Sequence, residues 1–210
     1  DGGGHAHSQP KRREVVVNGK RVKTVDIHAQ CVVPEAIALM GQSLGGGGMR
    51  TDLDLHNAVD IRLGVMDAQG IDVEALSINP NWYRVDDRDK AAKIIDIQNE
   101  ALAEACAANP DRFVAFASVA MQFPELAAAQ LEEGVKKYGL RGAAIGCNVA
   151  GDEIADPKFH PFWAKAEQLG VLVQPLVPRL VCVYQLFHAD SQRGGNLPRC
   201  LVFLRGILPR

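Results

Sequence analysis

From about residue 24 onward the chain repeats one phrase: an amphipathic helix, a glycine or Asn-Pro stop, then a short apolar run. Met66-Asp67-Ala68-Gln69-Gly70 leads into Ile71 to Ile78, and a helix over about 88–108 stops at Asn109-Pro110 before Phe113 to Val119. A helix from about Pro124 stops near Gly139 and feeds Gly142-Ala143-Ala144-Ile145; another passes through Gly170 into Val171-Leu172-Val173. Five strands can be counted, starting near residues 24, 71, 113, 142 and 171. After a long first insertion the repeat is about 30 to 40 residues, the size of one β/α unit. The runs are nearly continuously apolar, so both of their faces are buried, which predicts a parallel sheet covered by helices.

Spacing supports the helices as well. Between Asp156 and Gly170 the apolar residues Phe159, Phe162, Trp163, Ala166 and Leu169 fall on one helical face, with Asp156 as N-cap and Pro157 at the first helical position. Ahead of the first core strand, Val15-Val16-Val17 and Val22 to Val25 flank Asn18-Gly19, a pair suited to a two-residue turn. This predicts a short N-terminal β-hairpin whose second arm runs on into Asp26-Ile27-His28. The fold class is α/β with about five parallel strands. An eightfold β/α barrel takes ~250 residues, so 210 residues imply an incomplete TIM-barrel-like fold.

Residues 1–14 are polar and glycine-rich and are expected to be disordered, which leaves His5 and His7 without the preorganisation a metal pair needs. Residues 15–176 form the partial barrel. From 177 to 210 the composition changes, with five arginines, one aspartate, three prolines, no lysine and no glutamate. The helical period stops there too. Gly45 to Gly48, in the insertion after the first strand, lacks a following Gly-Lys-Ser/Thr and reads as a mobile loop or lid rather than a phosphate cradle.

With a net charge of −2 and no basic cluster beyond Lys11-Arg12-Arg13, a nucleic-acid surface is excluded. No apolar run approaches the ~18 residues of a membrane helix, and the first thirty residues lack the apolar core of a signal peptide. A cytoplasmic protein without a membrane partner is expected. The five cysteines are odd in number, widely spaced and without a CxxC pair, so reduced thiols are the default.

In such an architecture chemistry sits at the carboxyl ends of the strands. The polar residues there are Asp26, His28 and Gln30, then Asn79, Asn81, Trp82 and Tyr83, then Gln122, then Cys147 and Asn148, then Gln174. His28 is either a divalent-metal ligand or a hydrogen-bonded structural histidine. Gln30, two residues on, points to the same side, although an amide oxygen is a poor zinc ligand. Asn79, Trp82, Tyr83 and Asn148 are candidates to wall a pocket for a flat ligand; the alternative for the two aromatics is packing under the Gly45 to Gly48 loop. His188 and Asp190 offer a further pair of ligands, and His160 and Trp163 read as structural.

The segments Val25-Asp-Ile-His-Ala-Gln-Cys31, Met66-Asp-Ala-Gln-Gly-Ile-Asp72, Leu76-Ser-Ile-Asn-Pro80, Asn109-Pro-Asp-Arg-Phe113, Gly139-Leu-Arg-Gly-Ala-Ala-Ile-Gly146 and Asp156-Pro-Lys-Phe-His-Pro-Phe-Trp163 together resemble the aminocarboxymuconate-semialdehyde decarboxylase-like branch of the amidohydrolase superfamily. The resemblance spans about residues 15–173. It implies a distorted TIM barrel with one divalent metal, zinc or manganese, and a carboxy-lyase acting on a small unsaturated or aromatic carboxylic acid. A metal-dependent hydrolase is the alternative. The family's metal site takes His-x-His or Glu-x-His after strand one, a histidine ending strand five and an aspartate after strand eight.

This chain departs from that pattern. His28 matches the first ligand, but Gln30 replaces the second, and Val173 runs into Gln174-Pro175 instead of a Phe-Ile-His-Pro-like end. Nothing after 176 resembles strands six to eight, and the segment from 174 reads as an out-of-frame or rearranged end. With His28 the surviving ligand, impaired activity is expected. A third reading is a catalytically silent barrel fragment whose open sheet edge pairs with a partner or with itself as a homo-oligomer.

Overall fold

Five parallel strands are wrapped on one side by helices in the computed structural model, which describes residues 12–42 and 53–176. The features read at His5 and His7, at Gly45 to Gly48, at His188 and Asp190, and throughout 177–210 lie outside the described residues.

An exposed hairpin comes first, β1 (Val16–Val17) and β2 (Lys20–Arg21). Its turn is the expected one, with Asn18 at φ 50 and Gly19 at φ 74. The hairpin is shorter than its sequence suggests, and β3 (Val25–Cys31) is a separate strand. The chain is held against the barrel from Arg12: Arg13 N donates to Asp67 O at 2.9 Å and Arg12 pairs with Asp72. The expected disorder therefore does not extend to Arg12–Glu14, because their backbone and guanidinium groups find acceptors at the barrel's amino-terminal end.

After α1 (Pro34–Leu39), α2 (Val59–Gln69) ends on Gly70 in the left-handed region at φ 78 and returns the chain to β4 (Val73–Ile78). The 21-residue α3 (Arg88–Ala108) begins where Asp87 accepts from the backbone of Asp89 and Lys90, and it ends at Asn109 as the Asn-Pro stop predicts. β5 (Phe113–Ala115), α4 (Pro124–Lys136) and β6 (Gly142–Gly146) follow. A small excursion, β7 (Asn148–Val149) and β8 (Asp152–Glu153), precedes α5 (His160–Leu169) and β9 (Leu172–Leu176). Helix α5 starts three residues later than the N-cap at Asp156 suggests. Pro161 has no N–H to give the Pro157 carbonyl, so Pro157–Phe159 forms a 3-10 turn instead.

The strand order is β3-β4-β5, continued through Ala117–Gly142 and Ala144–Ala117 backbone bonds to β6 and then β9, all parallel. Among the described residues this sheet has five strands and does not close. Alternation along β4 separates two cores. Val73 and Ala75 join Val114, Phe116, Ala144 and Leu176 inside the curve, whereas Leu76 and Ile78 join Ile94, Leu102, Phe113, Leu131 and Phe162 beneath the helices. Each fully buried large apolar side chain there contributes about 1.5–3 kcal/mol. β9 stays in register with β6 through Leu176, with Gln174 opposite Ala144, so residues 174–176 complete the fifth strand.

One irregularity positions the site. In the β3–β4 register Asp26 pairs with Glu74 and Ala29 with Leu76, so Ile27 and His28 together oppose the single residue Ala75. This bulge is shaped by the Asp26 carboxylate, which accepts from His28 N at 2.8 Å. It re-aims the strand end and brings Gln30 level with Ser77.

Candidate active site at the carboxyl ends of the strands

The strand ends open into a cleft of about 800 Å³ lined by Gln30, Gln42, Asn79, Pro80, Asn81, Tyr83, Arg84, Gly146, Cys147, Asn148, Ala150, Gly151 and Leu176. That is within the ~300–1,000 Å³ typical of small-molecule sites. Its first wall is an amide pair. Gln30 Nε2 donates to Asn79 Oδ1 at 2.9 Å, and Asn79 Nδ2 donates back to Gln30 Oε1 at 3.1 Å. Gln30 Nε2 also stands 3.3 Å from His28 Nε2; an amide N–H only donates, so the ring nitrogen accepts.

The 3-10 turn Asn81–Arg84 builds the second wall. Gln122 pins the turn, its Nε2 donating to Trp82 O at 2.8 Å. Tyr83 is buried with its hydroxyl accepting from Gly146 N at 3.3 Å, and burial pushes the phenol above its usual value, so it stays protonated. Gly146 permits this approach, since a Cβ there would stand 3.1 Å from the Tyr83 ring and 2.9 Å from Asn148 O. Asn148 is exposed on the lining, its Oδ1 accepting from Gly151 N at 3.2 Å, and the half-buried Cys147 gives its Sγ hydrogen to Leu176 O at 3.4 Å.

Of the candidates read from the sequence, Gln30, Asn79, Tyr83 and Asn148 come together on this lining, and His28 sits behind Gln30. Trp82 does not wall the cleft. It is fully buried, and its Nε1 donates to Val119 O at 2.9 Å, because the tight turn rotates position 82 into the core when position 83 faces the opening. Gln174 lies inside the strands with Nε2 on Ile27 O at 2.6 Å and Oε1 without a partner among the described residues. Arg84 was not singled out by the sequence. Its signal is a cation directly after Asn81-Trp82-Tyr83, and it is exposed on the lining.

Parallel strands with helices outside and a polar cleft at their carboxyl ends define a scaffold of the β/α-barrel type. The sequence profile described as Amidohydrolase matches residues 25–198, so the chain belongs to the amidohydrolase family. The match continues into the segment beyond 176 that lies outside the described residues.

Two curated relatives are similar over the first part. The chain is 40% identical over 126 residues to gamma-resorcylate decarboxylase of Rhizobium radiobacter, covering 55% of this chain and 38% of that one. It is 30% identical over 118 residues to 2-amino-3-carboxymuconate-6-semialdehyde decarboxylase of Dictyostelium discoideum, covering 54% and 32%. A solved dihydroxybenzoic acid decarboxylase from a Polaromonas species superposes with TM-score 0.60 at 27% identity over 74% of this chain and 50% of that one; it holds manganese and the inhibitor 2-nitroresorcinol. The chain thus spans a third to a half of the length of these relatives.

The described donors at the strand ends do not make up a site for a divalent transition metal. They are one imidazole, His28, one thiol, Cys147, which gives its hydrogen to Leu176 O, and the neutral amides of Gln30, Asn79 and Gln174, with no carboxylate on the described lining, whereas zinc and manganese sites are built from several imidazole, thiolate and carboxylate ligands together. Among the described residues no group of three or more His, Cys, Asp or Glu could hold a metal ion. Counting on from Val173, a Phe-Ile-His-Pro-like end places its histidine at position 176. Leu176 occupies that position, buried and on the cleft lining.

Proposed function

We propose that the cleft belongs to a carboxy-lyase site for a small aromatic or unsaturated carboxylic acid, and that this chain recognises the acid with little turnover. The observation that carries the reading is a cleft sized for a single-ring ligand at the strand ends, bordered by Asn79, Tyr83 and Asn148, in a chain 40% identical over 126 residues to gamma-resorcylate decarboxylase. Tyr83 offers a protonated hydroxyl beside the opening and the amides offer donors and acceptors for ring substituents. Decarboxylation requires a proton delivered to the carbon that loses carbon dioxide.

The cofactor in this reading is manganese or zinc, which when bound polarises the substrate and acidifies water. The described donors do not suit it, so no metal-borne step is assigned to them. In this reading the reaction is cytoplasmic, without nucleic-acid or membrane partners, and the chain associates as a homo-oligomer. Among the described residues no helix is long and apolar enough to cross a membrane.

Carboxyl-labelled 2,6-dihydroxybenzoate, supplied with manganese, tests the reading beside an aryl ester of matching ring size. Saturable binding of the acid is expected, with slight release of labelled carbon dioxide and no cleavage of the ester. Absence of saturable binding, or ester cleavage without labelled carbon dioxide from the acid, would defeat it; the latter outcome favours the hydrolase.

A further inference from the structure

Among the described residues the cleft has one charged side chain on its lining, Arg84, and no carboxylate. Its polar groups are the amides of Gln30, Gln42, Asn79, Asn81 and Asn148, the Tyr83 hydroxyl, the Cys147 thiol and the Arg84 guanidinium. Among the described residues Arg84 makes no ion pair, although Asp86 and Asp87 follow it closely in sequence. Other arginines behave differently: Arg12 and Arg21 meet Asp72, Arg62 meets Glu74 and Arg112 meets Asp67. An unpaired guanidinium beside neutral amides suits an anion, and its planar fork matches a carboxylate in two parallel hydrogen bonds.

His28, meanwhile, has its Nε2 against the Gln30 amide, and both ends of that amide are engaged with Asn79. The part of the mouth around His28 is thus occupied by a neutral hydrogen-bonded cluster, and the positive charge on the described lining is that of Arg84. We propose that Arg84 is the specificity-determining residue of this cleft and holds the carboxylate of a small aromatic acid without a metal ion. The inference rests on reading the cleft as the aromatic-acid site.

Two probes of equal ring size separate the contributions. The full chain is titrated with 2,6-dihydroxybenzoate and with resorcinol, which lacks the carboxylate, by calorimetry in EDTA and again with manganese added. The acid is expected to bind in EDTA, with no gain from manganese. Arg84→Gln should weaken the acid about three- to tenfold, with Arg84→Lys in between, while resorcinol changes by less than about twofold. Unchanged resorcinol binding also reports that the variant's cleft is folded. Acid binding that requires manganese, or an Arg84→Gln variant that binds the acid like the parent or loses both probes alike, would overturn the assignment of Arg84. Failure of both probes to bind the parent chain would remove the aromatic-acid reading itself, so the two failures are distinguishable.

Discussion

Gln30 and Asn79 lie 49 residues apart in the chain and lock the ends of β3 and β4 together through a reciprocal pair of amide hydrogen bonds, 2.9 and 3.1 Å long. The same Gln30 nitrogen stands beside His28 Nε2. This arrangement satisfies neutral groups with neutral groups and leaves no anionic donor to offset a dication.

Replacing two of these positions should create the missing ligands. Gln30→His with Leu176→His would give three imidazoles at the mouth, the minimum for a tight zinc or manganese site. The double variant is expected to retain about one zinc per chain after gel filtration, measured by atomic emission, whereas the parent retains almost none. Stoichiometric metal on the parent chain would show that the described donor set had been misjudged.

A second consequence concerns the buried pair behind the site. Arg62 Nη1 meets Glu74 at 2.8 Å, and Arg62 Nη2 donates to Gln30 O at 2.7 Å, with both side chains largely out of solvent. Burial already raises the Glu74 carboxyl above its usual value despite Arg62, with Asp26 adding to the rise. Arg62→Met would leave that carboxylate buried and unpaired, a loss of about 3–5 kcal/mol at neutral pH. A carboxyl whose folded value is raised costs stability as pH climbs through that value, so the deficit should shrink towards about pH 4. Urea denaturation at pH 5 and pH 8 checks this, and Arg62→Met with Glu74→Gln should recover part of the loss at pH 8.

The strand starts, the end of α2 at Gly70 and both ends of α3 were legible in the sequence because local signals set them: a left-handed glycine, an aspartate cap and an Asn-Pro stop. The bulge at Ile27 and His28 was not, since it exists only as a register against β4. The burial of Trp82 was equally hidden. A strand-exit aromatic reads as a pocket wall until the 3-10 turn rotates it inward and Val119, 37 residues away, supplies its acceptor. Gln30 and Asn79 were each visible as polar residues at strand ends, but their pairing depends on which strands are neighbours.

The β6–β9 pairing rests on a position where no side chain fits. Gly142 sits at φ +145, and a Cβ there would stand 1.9 Å from Leu172 O. Gly142→Ala would have to push apart the two backbones that Gly142–Leu172 register holds together. A loss of more than about 3 kcal/mol is expected. Hydrogen exchange should localise the damage to Ala143, Ala144 and the β9 amides before β3 and β4 open. Uniform loss of protection would instead mean that the five strands unfold as one unit.

At the amino-terminal end, acid sensitivity should trace to Asp72. The carboxylate is buried and accepts from Arg12 at 2.6 Å and Thr24 N at 2.7 Å, and it also meets Arg21 at 2.5 Å. Burial alone would raise it, but the Thr24 N–H and the two guanidinium groups outweigh burial and hold it below the usual carboxylate range. A group depressed in the folded state adds stability that is present above its unfolded value, about 3.9, and is lost as pH falls through the folded value. Asp72→Asn should therefore cost about 2–3 kcal/mol at pH 7 and progressively less below about pH 4, where the parent's own Asp72 takes up a proton. Parallel denaturation series of parent and variant from pH 3 to pH 7 measure the difference. Asp54 is depressed as well, through Asn57 and the His56 and Asn57 backbone N–H groups, and titrates in the same window in both proteins. Its contribution cancels in the comparison, so convergence of the two curves at low pH reports on Asp72 and its two arginines; parallel curves would assign the acid sensitivity elsewhere.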